Sequence, residues 1–173
     1  MTVASRIDLR TCTPSQLWAS LDVDLRLLAA RSFYAHDWGE NPARREADAA
    51  IMFGMRFRES AVRQLPVERR AQYLAKSIRP NDGLSGSLLL ALHLETRRPM
   101  LSAFLDALGI PHVDGLIAED HEPEPPSSAA LEKAAAALRK AYPADDVDLY
   151  LATLFVLDRE TWAGIDPALA LTR

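Results

Sequence analysis

Apolar residues recur at three-to-four spacing along most of this chain, and caps, prolines and glycines punctuate the runs. That period belongs to helices rather than strands. Thr13 before Pro14 and Asn41 before Pro42 read as helix starts. An N-cap side chain satisfies an orphan backbone N–H, and proline loses nothing at the first helical position. The pattern predicts a short helix from Thr13 with Leu17, Trp18 and Leu21 inward. A second helix from Asp22 to about Ala35 follows, with Leu25, Leu28 and Ala29 on one side, and it ends in His36-Asp37-Trp38-Gly39.

Asn41-Pro42 is expected to open the longest helix, running to about Leu65. On a helical wheel Ala50, Ile51, Gly54, Met55, Phe57, Ala61, Val62 and Leu65 form one wide apolar arc, with Asp48, Met52, Arg56, Glu59 and Arg63 opposite. Pro66 starts the next helix, to about Ile78, and Arg79-Pro80-Asn81-Asp82-Gly83 reads as a turn. Leu84 to Glu95 is apolar nearly all round, which places it at the centre of a bundle. Arg97 to Leu108 follows, closed by Gly109. Ser127 or Ser128 caps an Ala-rich helix that runs to about Tyr142 and is broken by Pro143, and another runs from Asp145 or Asp146 to about Asp158. A last short turn is expected after Asp166-Pro167, while Ile7 to Leu9 is too short to seed a sheet.

The expected fold class is therefore all-α: a compact irregular bundle of about eight helices, in antiparallel pairs around the apolar helix at 84–95. Residues 1–173 are expected to form a single all-helical domain, a length and apolar content (49%) that one core can use. The exception is an irregular acidic, Pro-rich loop at 109–127, a length that compact domains seldom carry without a use for it.

Composition narrows the setting. The longest nearly apolar run, Leu149 to Leu157, falls short of the about 20 residues a membrane span needs, so no membrane association is expected. Residues 1–13 hold no apolar stretch of signal-peptide type. Cys12 is the only cysteine, which excludes an intrachain disulfide and Cys-rich zinc ligation and points to a reducing cytoplasm. A net charge of −4 argues against general nucleic-acid binding.

Known catalytic spacings are absent. The chain has neither Gly-x-x-x-x-Gly-Lys nor Gly-x-Gly-x-x-Gly, and Asp82 to Ser87 lacks the lysine and a preceding strand. His-x-x-x-His and Glu-x-x-His do not occur, which removes the sequence support for zincin or di-iron ligation. His36-Asp37 has no histidine before it, as an HD-type phosphohydrolase site would require. Cys12 precedes a helix start but has no neighbouring histidine to activate it. No catalytic residue is assigned, no cofactor is expected, and enzymatic activity is left open. No metal site is assigned either, although His112, Asp114, Asp120 and His121 are the residues that could supply imidazole and carboxylate ligands. The same stretch, with Glu122-Pro-Glu-Pro-Pro, reads equally as a solvated extended linker.

Charge is unevenly spread. Residues 44–79 carry nine Arg or Lys against four acids, net +5, whereas 80–173 carry seven against fifteen, net −8. On one continuous helix Arg45, Arg56 and Arg63 would fall within about 20° of one another, a row suited to an anion or an acidic partner. Glu59–Arg63 and Arg44–Asp48 have the spacing of ordinary solvated ion pairs. Arg58 would project into the apolar arc near Gly54, marking a structural ion pair or a polar pocket. His93, within the most apolar helix, reads as a buried histidine or a second pocket residue.

These observations favour a non-enzymatic protein-interaction or regulatory module, docking a protein partner or a second copy through Arg45, Arg56 and Arg63, with exposed aromatics such as Trp38 or Trp162 as anchors. The alternative is an enzyme or a small-ligand or metal-binding protein whose pocket lies between helices and uses Arg58 with His93 or the 112–121 loop. Nucleic-acid binding through 44–79 ranks last.

Overall fold

Thr13 and Gln16 cap each other at the first helix: the Gln16 N–H donates to Thr13 Oγ1 at 3.4 Å and the Thr13 N–H donates to Gln16 Oε1 at 3.0 Å. This reciprocal box satisfies two backbone donors that an isolated helix start leaves open. The same local chemistry recurs down the chain in the computed structural model, which describes residues 8–39, 41–118, 120–121 and 124–165.

The described residues form nine helices and one two-stranded hairpin: α1 Pro14–Ser20, α2 Val23–Ala35, α3 Ala43–Met55, α4 Glu59–Gln64, α5 Val67–Lys76, α6 Asp82–Thr96, α7 Arg98–Leu108, β1 His112–Val113, β2 Leu116–Ile117, α8 Ser128–Ala141 and α9 Ala144–Leu157. The fold is all-α. Among the described residues no helix is long and apolar enough to cross a membrane. The turn expected after Asp166-Pro167 lies outside the described residues, as do Ile7, Glu40, Glu119 and Glu122.

The chain separates into two compact units, Thr13–Thr96 and, of the described residues, 8–12 with 97–165. In the first, α6 packs against α1, α2 and α3, and α2 also packs on α5. Leu84, Leu88, Leu89, Ala91, Leu92 and Leu94 are all buried, as a helix without a broad wet face requires. The inner face of α2 is Ala29, Ala30, Phe33 and Tyr34, and Leu28 is exposed. The two rings, rather than the leucines nearer the start, set which side of α2 turns inward.

In the other unit α7 packs on α8, α8 on α9, and the hairpin on α7. Phe104 sits at its centre, edge-on to Tyr150 at 5.4 Å and tilted against Trp162 at 5.9 Å. The segment expected to be irregular contains the β1–β2 hairpin, with His112 opposite Ile117 and Val113 opposite Leu116. Asp114 and Gly115 both take positive φ, 53° and 82°, the two-residue turn that Asp-Gly favours.

The expected helix from 42 to 65 is interrupted. Arg56 adopts the left-handed conformation (φ 56°), its N–H capping Met52 and Phe53 carbonyls, while the Phe57 N–H donates to Met52 O at 3.0 Å. The tertiary contact that rewards the break is Phe57 edge-on to Tyr73 of α5, 5.6 Å between ring centres. A non-glycine residue in this conformation costs about 1–2 kcal/mol, which the aromatic contact and the freed α4 packing offset.

Candidate functional site

Helix α3 inserts only a narrow stripe into its unit. Ala43, Ala47 and Ile51, one turn apart, are buried. The positions on either side of that stripe are left to line two crevices.

The first, about 180 Å³, lies between α3 and α4 and is lined by Arg45, Asp48, Ala49, Met52, Glu59, Val62 and Arg63. Its base is apolar and its rim is charged. Arg63 Nη2 meets Glu59 Oε1 at 2.5 Å, one helical turn away, with both side chains largely in solvent. Such an exposed pair contributes little to stability. Asp48 is held from behind: Arg70 Nη1 donates to Asp48 Oδ1 and Oδ2 at 3.2 and 3.1 Å, and Tyr34 Oη donates to Oδ1 at 3.3 Å. Burial is the main cause that pushes the Tyr34 phenol well above its ordinary range, with the neighbouring Asp48 carboxylate adding to it.

The second crevice, about 420 Å³, runs along the other flank of α3. Its α3 wall is Glu46, Ala50, Phe53 and Gly54, and its other wall is Ser77 to Asn81 with Leu84. Phe53 is 76% exposed, the most exposed large apolar side chain among the described residues. Gly54 brings α3 close to the α5–α6 turn, because a Cβ there would lie 2.4 Å from Ile78 Cδ1.

The α3–α4 break rearranges the arginines. Arg45 and Arg63 border one crevice, but Arg56 sits at the C-cap of α3 and is not among its lining residues. Arg58, placed in the apolar arc by an unbroken helix, is instead the exposed N-cap of α4, because the break at Arg56 resets the helical phase. His93 is buried in α6. Neither Arg58 nor His93 lines either crevice. Among the described residues Arg45, Arg56, Arg58, Lys76 and Arg79 make no ion pair, whereas Arg44 is committed to the Tyr34 and His36 carbonyls at 2.9 and 2.7 Å.

The loop histidines are separately employed. The Gly115 N–H donates to His112 Nδ1 at 3.2 Å, which puts the ring proton on Nε2, 3.2 Å from Asp106 Oδ1. Asp114 pairs with Arg98 at 3.3 Å. Asp120 is exposed and His121 half-buried. Among the described residues no group of three or more His, Cys, Asp or Glu is placed to hold a metal ion.

The proposed aromatic anchors are also displaced. Trp162 is buried against Phe104, and Trp38 is half-buried, its indole N–H donating to Phe33 O at 2.8 Å. Phe53 is the aromatic that faces water. Its signal was present in the sequence, since Phe53 falls outside the apolar arc of its own helix. His36 Nδ1, 2.7 Å from Glu95 Oε1, tethers the end of α2 to α6 across a separation no single sequence displays.

No family model matches this chain, and comparison with characterised proteins and with solved structures finds no match.

Proposed function

We propose that this chain is a non-enzymatic protein-interaction module that receives an acidic partner on the exposed surface of α3 around Phe53. The observation that supports the reading is an exposed Phe53 within a segment whose net charge is +5 and whose Arg45, Arg56 and Arg58 make no ion pair among the described residues. An exposed aromatic costs solubility unless it is used, and covering it supplies the largest apolar gain on this helix. Uncommitted cations on the same segment raise the encounter rate with an acidic surface more than they add affinity.

The test places a photo-crosslinking amino acid at position 53, with a control at the exposed Leu90, and identifies adducts by mass spectrometry in the producing cells. The reading expects one recurrent protein adduct from position 53, absent from position 90 and lost on Arg45→Glu/Arg56→Glu/Arg63→Glu. Identical adduct patterns from both positions, or a pattern indifferent to the three charge reversals, overturn it.

A further inference from the structure

We infer that the groove between α3 and the Ser77–Asn81 turn holds a short amphipathic helix of the acidic partner, with an apolar side chain seated against Phe53 and a carboxylate on Arg79. The inference rests on the interaction reading above and names its occupant. The groove is apolar where Ala50, Phe53, Gly54, Ile78 and Leu84 meet, and its volume of about 420 Å³ exceeds what one small side chain fills. The walls are the outside of a helix and a turn. The α3 backbone is already hydrogen-bonded within the helix, so it offers no ladder to an extended peptide. An extended chain buried here would leave its own N–H and C=O groups unpaired, whereas a helix satisfies them internally.

The length also fits. Glu46 to Gly54 spans about 12 Å of helix, a little over two turns, at about 1.5 Å per residue. Ala50 carries little side-chain bulk, so an incoming helix can lie close there, while the space over Gly54 is taken by Ile78 Cδ1 of the groove wall. Anchors at i, i+3 or i+4, and i+7 would occupy that length. Charge selects the partner: Arg79 lines the groove, and Lys76 and Arg56 stand next to it in sequence, against Glu46 in the lining and Asp82 beside it, whose carboxylate already accepts from the Ser15 N–H at 3.0 Å. None of the three cations makes an ion pair among the described residues.

The probe is a fluorescein-labelled synthetic helix of two to three turns with Leu at i, i+3 and i+7 and Glu on its other faces. A Leu→Ala version and a Glu→Lys version serve as comparators, and binding to the full chain is read by fluorescence anisotropy. The expected result is saturable binding of the Glu/Leu peptide alone. Affinity should fall about tenfold with Phe53→Asp and about as much with Ala50→Trp, which fills the groove, and should fall severalfold with Arg79→Glu. Arg63→Glu should leave it unchanged. Phe53 is exposed, so its replacement does not threaten the fold. Binding lost to Arg45→Glu and Arg63→Glu but not to Phe53→Asp or Ala50→Trp overturns the groove and leaves the interaction reading standing. Equal binding of the Glu→Lys peptide overturns the acidic occupant. Absence of binding by all three peptides at about millimolar concentration overturns the helix-in-groove inference, while the crosslink from position 53 decides the broader reading independently.

Discussion

The Arg70 guanidinium lies over the Tyr34 ring, 5.0 Å from its centroid, while also holding Asp48, to which the Tyr34 hydroxyl donates. Three side chains from α2, α3 and α5 thus share one partly buried polar junction. The phenol stays protonated in the folded chain because burial, and then the Asp48 charge, disfavour phenolate; burial does the same to Tyr150. An unfolded chain releases those protons above about pH 10. Stability contributed by the neutral phenols is therefore intact below that pH and is lost as pH rises toward the raised folded values. Each buried tyrosine steepens the loss by up to about 1.4 kcal/mol per pH unit. Tyr34→Phe should cost only about 0.5–1.5 kcal/mol near neutrality, since Asp48 keeps Arg70, but should flatten the alkaline decline. Urea unfolding between neutral pH and the alkaline range reads this directly, and equal slopes for both proteins refute it.

Gly54 and Ile78 define a second prediction. The contact a Cβ at Gly54 would make is with the far end of Ile78, a methyl group that can move. Alanine gains roughly 1 kcal/mol of helix propensity over glycine, and displacing the Ile78 side chain from its rotamer costs about as much. Gly54→Ala alone should be near neutral. In the Ile78→Val background, where the offending methyl is gone, the same change should stabilise by about 1 kcal/mol. A double-mutant cycle by chemical denaturation should show this coupling, and strict additivity would contradict it.

How much of this was legible depends on how local the cause is. Caps and stops depend on neighbouring residues, so the starts at Thr13 and Ser127 and the left-handed Gly109 at the end of α7 could be read from the chain. The Asp114-Gly115 turn was local too, but strands of two residues carry no periodicity to announce it. The break at Arg56 depends on Phe57 finding Tyr73, sixteen positions on, and it took Arg58 out of the core and Arg56 out of the row with Arg45 and Arg63. The site followed the same rule. Arg45 and Arg63 meet at one crevice, yet the groove beside Phe53 depends on the turn after α5 returning to α3, which wheel arithmetic on one helix does not contain.

Two left-handed glycines should respond unequally to alanine. At Gly109 (φ 68°) a Cβ meets nothing within 4 Å, so the cost is the backbone alone, about 1 kcal/mol. At Gly115 (φ 82°) it would lie 2.9 Å from Leu101 Cβ, 3.3 Å from Arg98 O and 3.4 Å from Ser102 N. Backbone atoms of α7 cannot step aside, so the hairpin must lift. Gly115→Ala should cost at least about 2 kcal/mol and loosen the Arg98–Asp114 pair, whereas Gly109→Ala keeps it. Thermal unfolding ranks the two, and the reverse order would show that the hairpin is not seated on α7 as described.

Arg159 makes the last prediction, because it ties a distant stretch of chain to the end of α9. Its guanidinium lies over the Phe155 ring, 5.1 Å from the centroid, and donates to the carbonyls of Leu9, Arg10 and Cys12. Those three carbonyls belong to the segment that carries the only cysteine, whose side chain is 1% exposed. Thiol-labelling rate therefore reports how often this segment opens. Arg159→Ala removes the clamp and should speed Cys12 labelling at least about tenfold, equivalent to about 1.4 kcal/mol of local opening. Arg159→Lys should fall between, since one ammonium cannot span three carbonyls as a planar fork does. If the acceleration reflects local release, it will persist at urea concentrations far below the unfolding midpoint and will not scale with global stability. A labelling rate unchanged in Arg159→Ala would mean that the apolar packing of Leu9 and Cys12, and not the arginine, holds the segment in place.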